Sequence, residues 1–241
     1  MNITNESIIG DIVANDYKAA SVFKKYGIDF CCNGNKSIEQ ACTQNNISIE
    51  ELKNEISNAL SQSDNQGTDY NSWPLDLLAD YIEKKHHRYV ETKLPEIIPY
   101  LDKITQVHGD RHTELFEINK LFKETAAELS KHMKKEELIL FPFIRKMVDA
   151  KQNGTSVQAH FGTVQNPIKT MMQEHDNEGE RFKKISSLCN QYTPPTDACN
   201  TYKVTLSLLK EFEDDLHLHI HLENNILFPK SIKLEEQFTN N

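Results

Sequence analysis

Two stretches of the chain, HMKKEELILFP at 132–142 and HIHLENNILFP at 219–229, share the pattern H-x-x-x-E-x-x-x-L-F-P. They begin 87 residues apart. In an α-helix, residues four apart are separated by about 400° of rotation and ~6 Å of rise. His132 and Glu136 therefore share one helix face, one turn apart, and so do His219 and Glu223. His87 stands 45 residues before His132, and His175 stands 44 residues before His219. Each half thus reads as a helix with one histidine, a turn, and a helix with the His–Glu pair. The turns are legible in VHGDR (107–111) and NQYTPPTDA (190–198), whose Gly, Asn, Asp and Pro residues break helices. Two such hairpins form an up-down-up-down four-helix bundle. No stretch favours strands, so the chain is expected to be all-α.

Packed about a pseudo-twofold axis, the halves would bring together His87, His132, Glu136, His175, His219 and Glu223. Four imidazoles and two carboxylates in a bundle core describe a dinuclear metal site, with two histidines per metal and the carboxylates bridging. Mixed N/O ligation without thiolate suits iron or manganese rather than structural zinc. A single His-x-x-x-Glu is usually a solvated pair, because short patterns recur by chance. Two pairs, each ahead of Leu-Phe-Pro in apolar surroundings and each with a matching upstream histidine, point inward instead. The proline after each Phe is expected to kink its helix near the end.

The other histidines read differently. His221 is turned about 200° from His219, so His217 and His221 form a solvated pair. His86, about 100° round from His87, reads as a surface residue. His108 and His112 repeat the spacing, but His108 lies roughly 30 Å along the helix from His87, outside the cluster. His160 sits in a polar connection and carries no motif.

Ahead of the bundle, IIGDIVAND, YKAASVFKKYG, SIEQACTQN and SIEELKNEISNAL read as short amphipathic helices, with Ser37 and Ser48 as N-caps. The polar, aperiodic SQSDNQGTDYNS reads as a linker. The division is then a small helical domain at 1–60, a linker at 61–72 and the bundle at 73–241. Of the five cysteines, Cys42, Cys189 and Cys199 read as small buried residues. Cys31 and Cys32 occupy the turn GIDFCCNGNK ahead of a helix, where a thiol is exposed and its pKa lowered. A thiol relay and a purely structural role both stay open for that pair.

A net charge of -9 argues against nucleic acid or an anionic membrane as partner. The longest apolar run, Leu138–Ile144, is far short of a membrane span. The first residues, MNITNESIIGDIV, lack the basic and apolar regions of a signal peptide, so a cytoplasmic location with reduced thiols is the expectation.

Several segments together match a known family: GIDFCCNG, LPEI after His87, HMKKEELILFP, EHDNEGE around His175, TPP before Cys199, and DDL followed by HIHLENNILFP. From Ser7 to Ile232 the chain resembles the repair-of-iron-centres proteins, the ScdA/YtfE type of di-iron iron-sulfur cluster repair protein. The resemblance implies a hemerythrin-like four-helix bundle behind a small ScdA-type domain. It implies a non-haem centre of two oxo-bridged iron ions. The implied ligands are His87, His132, Glu136, His175, His219 and Glu223, with Glu136 and Glu223 bridging. The implied function is repair of iron-sulfur clusters damaged by oxidative or nitrosative stress, by donation of iron, with the damaged cluster proteins as clients. A homodimer is the expected assembly, with the small domain as its dimerising element if the cysteines prove structural. The family pattern also has histidine at His108 and glutamate at Glu174, and leaves an iron-exit or proton-path role open to them. The alternatives are nitric oxide reduction at the same centre, reversible binding of oxygen or nitric oxide, and a metal-stabilised interaction module without turnover. The symmetric ligand set, lacking a fifth histidine, counts against oxygen binding.

Overall fold

The computed structural model of the protein describes residues 3–61 and 68–239. Among these, regular structure is helical, and the only β pairings are the isolated bridges Ile8–Ser37 and Ala159–Gly162. Four short helices come first: α1 Ile9–Asn15, α2 Lys18–Lys25, α3 Ile38–Asn45 and α4 Ile49–Ser61. Four long ones follow. Helix α5 joins Leu75–Tyr81, a π-helical turn Ile82–His87 and Arg88–His108. Helix α6 joins Glu114–Lys135, a π-helical turn Glu136–Leu140 and Phe141–Asn153. Helix α7 is Gln165–Leu188. Helix α8 joins Asn200–Leu222, a π-helical turn Glu223–Leu227 and Phe228–Thr239. Of the expected linker, residues 62–67 lie outside the described residues. Within the remainder, Tyr70–Ser72 form a 3-10 turn capped by the Asp69 carboxylate, which accepts from the Ser72 N–H.

The chain divides into two compact units, one of Ala79–His219 and one of Met1–Leu78 with Ile220–Asn241. In the first, four antiparallel helices share a core. The start of α5 meets the middle of α6 where His87 faces Glu136, and its end meets the start of α6 where Asn119 donates to Asp102 at 2.8 Å. Thr125 of α6 donates to Glu178 of α7 at 3.0 Å, while His132, two turns on, meets His175, nearly a turn back. Tyr89 donates to Glu211 at 3.0 Å, and the ring of Tyr202 lies 5.4 Å from His108, so α8 runs antiparallel to α5. Phe122, Phe182 and Phe212, one from each of α6, α7 and α8, are fully buried with ring centroids 5.4–6.5 Å apart. Full burial of one such side chain stabilises by about 1.5–3 kcal/mol, and aromatic pairing adds to it.

The prolines of the Leu-Phe-Pro motifs do not end their helices. Helix α6 continues past Pro142 to Asn153, and α8 past Pro229 to Thr239. In a regular α-helix a proline ring collides with the carbonyl four residues earlier and removes a hydrogen bond. Here the turn before each proline is π-helical: the N–H of Phe141 donates to the carbonyl of Glu136, and that of Phe228 to the carbonyl of Glu223. The wider turn accommodates the ring, and the helix goes on.

In the other unit, α3 is closed by a capping box, with the Ser37 hydroxyl accepting from Gln40 N–H and the Gln40 side chain accepting from Ser37 N–H. Gly10 and Gly34 touch back to back. A Cβ on Gly10 would fall 2.7 Å from Asn225 Oδ1, and one on Gly34 2.5 Å from the Phe30 carbonyl oxygen. That close approach lets the Asn225 side chain donate to the Phe30 carbonyl at 2.9 Å and Asn224 to the Cys31 carbonyl at 3.1 Å. His221 is buried there, against the rings of Tyr17 and Phe30 at 5.5 and 6.1 Å, and its Nδ1 accepts from Asn225 at 2.9 Å. Burial holds its pKa down to about 3. This corrects the solvated reading of His221. The helix face turned away from His219 meets protein rather than water.

Candidate metal centre

His87 closes the π-helical turn of α5; His132 and Glu136 lie one turn apart on α6; His175 is on α7 and His219 on α8. All five are buried. Glu136 Oε2 lies 3.4 Å from Nε2 of His87 and 3.4 Å from Nε2 of His132. Nε2 of His132 lies 3.0 Å from Nε2 of His175, and the rings of His87 and His219 are 5.0 Å apart. The unit boundary falls inside α8, between His219 and Ile220. Glu223 stands one turn beyond His219 on that continuous helix and is fully buried. Within the unit Ala79–His219, His87, Glu136 and His219 have ligand atoms within 4.8 Å of one another, and so do His132, Glu136 and His175. Glu136 belongs to both groups.

The outer nitrogens settle how the rings are presented. Nδ1 of His87 bonds Glu137 at 3.1 Å, and that carboxylate also accepts from Arg88 at 2.7 Å and Lys134 at 2.6 Å. Nδ1 of His132 bonds Glu174 at 2.9 Å, and Lys135 pairs with the same carboxylate. A carboxylate on Nδ1 keeps the ring proton there and leaves Nε2 as a lone-pair donor, the orientation metal-bound histidines adopt. The His132 hydrogen bond, working against burial and aided by Lys135, holds the pKa of Glu174 down to about 2. Inward lone pairs and buried carboxylate oxygens facing one another repel unless a cation lies among them. The donor set therefore fits a bound metal ion. A cavity of about 190 Å³ reaches this side of the site, lined by Glu128, Lys131, His132, Lys135, Glu174 and His175 among others.

Residues 78–231 match the hemerythrin HHE cation binding domain, and residues 5–60 match ScdA_N, a domain of unknown function. The chain is 36% identical to a "Probable iron-sulfur cluster repair protein" of Haemophilus influenzae, over 88% of this chain and 90% of that one. It is 32% identical to the iron-sulfur cluster repair protein ScdA of Staphylococcus haemolyticus, over 95% and 99%, and 33% identical to YtfE of Escherichia coli, over 93% and 96%. The chain belongs to the ScdA/YtfE family of iron-sulfur cluster repair proteins. Together with the cation binding domain, the His/Glu groups of this family member make a metal site.

Elsewhere this ScdA/YtfE protein departs from what its sequence suggests. His86 is buried, not at the surface: its Nδ1 bonds both oxygens of Asp215 at 3.0 and 3.1 Å, and its ring stacks on His219. Two neighbouring residues face inward because the π-helical turn Ile82–His87 takes a smaller angular step per residue than an α-helix. His108 is buried at the far end of α5, where it meets Cys199, and Cys199 is exposed rather than buried. His160 is exposed.

Cys31 is likewise reversed. The helix after the turn, α3, starts at Ile38 with Ser37 as its N-cap, five residues past Cys32. Instead Asp29 Oδ1 accepts from the Cys31 and Cys32 N–H groups at 3.1 and 2.9 Å, and Oδ2 accepts from the Asn33 side chain at 2.7 Å. Cys31 is buried, and its pKa is raised well above the usual thiol value by the Cys32 hydrogen bond, by burial and by the Asp29 charge. Cys32 is half-buried. Asp29, Cys31 and Cys32 make a third group of donors within 4.8 Å of one another. Nothing in the residue pattern of the turn foretold Asp29 as its organiser except the Asp-x-Cys-Cys spacing itself.

No helix among the described residues is long and apolar enough to cross a membrane.

Proposed function

We propose that this protein repairs damaged iron-sulfur clusters by donating iron from a two-iron centre. In this reading His87, His132, Glu136, His175, His219 and Glu223 would hold the two ions, with the Glu136 and Glu223 carboxylates shared between them. The observation that carries it is the position of Glu136 Oε2, 3.4 Å from Nε2 of His87 and 3.4 Å from Nε2 of His132, one imidazole from each donor group. Bound there, the ions supply exchangeable ferrous or ferric iron, because imidazole and carboxylate ligands release iron more readily than thiolates do. The chain's own residues do the rest. Glu137 and Glu174 aim the imidazoles, the phenylalanine core excludes water from below, and the cavity beside His132 and His175 gives an ion a route out past Glu174 and Glu128. Asp29, Cys31 and Cys32 form an intermediate acceptor in the same proposal, and Cys32, the more exposed thiol, makes the first contact with outgoing iron or with a client. The reading includes a cytoplasmic homodimer and cluster proteins damaged by oxidative or nitrosative stress as clients.

The test is direct. Iron-loaded protein is mixed with an apo cluster protein and sulfide, and cluster formation is followed by its visible absorption. The proposal expects about two irons per chain, as befits six N/O ligands over two metals, and their transfer to the apo protein. A chain that purifies with one zinc, or that keeps its iron while the apo protein stays empty, overturns it.

A further inference from the structure

The two hairpin turns of the bundle unit meet in a cluster that the metal centre does not use. His108 closes α5, and Cys199 immediately precedes α8. Nε2 of His108 lies 3.2 Å from Sγ of Cys199. His108 is 5% exposed, whereas Cys199 is open to solvent. The Arg111 guanidinium donates to Nδ1 of His108 at 3.4 Å. Arginine has no acceptor to offer, so Nδ1 must present its lone pair and the ring proton sits on Nε2, facing the sulfur. The ring is held from several sides. Arg111 pairs with Asp197 at 3.0 Å, Asp197 bonds Nε2 of His112 at 2.9 Å, and Tyr202 lies 5.4 Å from one imidazole and 5.6 Å from the other. The Cys199 carbonyl accepts from Lys203 N–H at 3.1 Å, which makes Cys199 the N-cap of α8, beside N–H groups that lack intrahelical partners. Once the thiol proton has left, the Cys199 sulfur anion accepts a charge-assisted hydrogen bond from this Nε2–H, and Arg111 holds the imidazole in the tautomer that donates it.

We infer that Cys199 is a reactive thiol that exchanges with low-molecular-weight disulfides, assisted by the Nε2–H of His108. In the exchange the Cys199 thiol gives its proton to solvent and its sulfur attacks one sulfur of the disulfide. The new S–S bond forms as the old one breaks, and the departing thiolate takes a proton from solvent. Cys199 is oxidised, half of the reagent is reduced, and no other oxidant is needed. The other cysteines are poorer candidates. Cys31, Cys42 and Cys189 are buried, and burial pushes the Cys189 thiol up to about 11. Only Cys32 competes.

The test treats the full-length, metal-loaded protein with oxidised glutathione and follows the mixed disulfide by intact mass and peptide mapping. The first adduct is expected on the Cys199 peptide and is absent in Cys199→Ser. His108→Leu, checked for folding by circular dichroism, should slow the adduct roughly tenfold or more, the size of one hydrogen bond to a charged atom. His108→Gln, whose amide N–H replaces the donor, should react close to the wild-type rate, a difference that a merely structural role would not produce. If the leucine variant does not fold, Arg111→Met at an exposed position takes its place, because freeing Nδ1 lets the proton leave Nε2 and slows the adduct. A first adduct on Cys32, or a folded His108→Leu or Arg111→Met chain reacting at the wild-type rate, overturns the inference.

Discussion

His132 and Glu174 meet across two helices, Nδ1 to carboxylate at 2.9 Å, and Lys135 holds the same carboxylate from the other side. The contact fixes the His132 ring with Nε2 turned inward, 3.0 Å from His175. Glu174 does not touch the metal in the proposed centre; it aims a residue that does.

Glu174→Ala is therefore expected to weaken metal binding by about 10–100-fold, the usual cost of losing an orienting carboxylate. Glu174→Gln, which keeps an oxygen acceptor, should lose less. Competition with a coloured chelator measures both. With a pKa held down to about 2, Glu174 stays ionised through the mildly acidic range, so its contribution should not vary with pH there. Equal affinities for wild type and Glu174→Ala would mean that the contact orients nothing.

Glu136→Leu and His108→Ala separate the centre from the far end of the bundle. Glu136 stands in both donor groups, while His108 closes α5 about 30 Å from His87 at 1.5 Å per residue. The leucine variant should purify with little metal and the alanine variant with its full complement. Metal analysis that gave the reverse pattern would displace the site.

The bundle and the burial of His132, Glu136, His219 and Glu223 were legible because both rest on one periodicity. His132–Glu136 and His219–Glu223 are single-turn pairs, and one turn of helix brings them together whatever the rest of the chain does. What escaped was set by partners distant in sequence or by departures from α geometry. His86 faces inward because the π-helical turn changes the angular step and Asp215, 129 residues later, receives its Nδ1. His221 is buried by Tyr17 and Phe30, and Cys31 is governed by Asp29 rather than by a helix N-terminus. The local sign of the π-helical turns in α6 and α8 was the proline of Leu-Phe-Pro, which reads as a kink near the helix end until the wider turn before it is taken into account.

Asp215→Ala should cost about 1–3 kcal/mol, because it leaves the buried Nδ1 of His86 without its carboxylate. Glu180→Ala, which breaks only the exposed pair with Lys183, should cost less than about 1 kcal/mol. Urea denaturation of the two variants against wild type checks the contrast. Equal midpoints for all three would show that the His86–Asp215 bond adds nothing.

The last prediction concerns pH and the paired cysteines. Folding raises the pKa of Cys31, through the Cys32 hydrogen bond first, then burial and the Asp29 charge. The native chain therefore keeps a proton that the unfolded chain gives up. The stabilisation is fully present below the unfolded thiol value of about 8.5, and it is lost as the pH rises from there through the higher folded value. Denaturation midpoints should accordingly fall as the pH is raised past the ordinary thiol range, and Cys31→Ser should flatten that fall. Asp29→Asn removes the charge beside Cys31 while keeping an oxygen acceptor for the two N–H groups, so it should flatten the fall in part. The same geometry orders reactivity within the pair. Iodoacetamide at mildly alkaline pH should label half-buried Cys32 well before buried Cys31, and Asp29→Asn should narrow the gap. If Cys31 is labelled first, or if the midpoints of wild type and Cys31→Ser fall in parallel, the thiol is not held as described. The reading of Cys32 as the outward-facing member of the pair would then go with it.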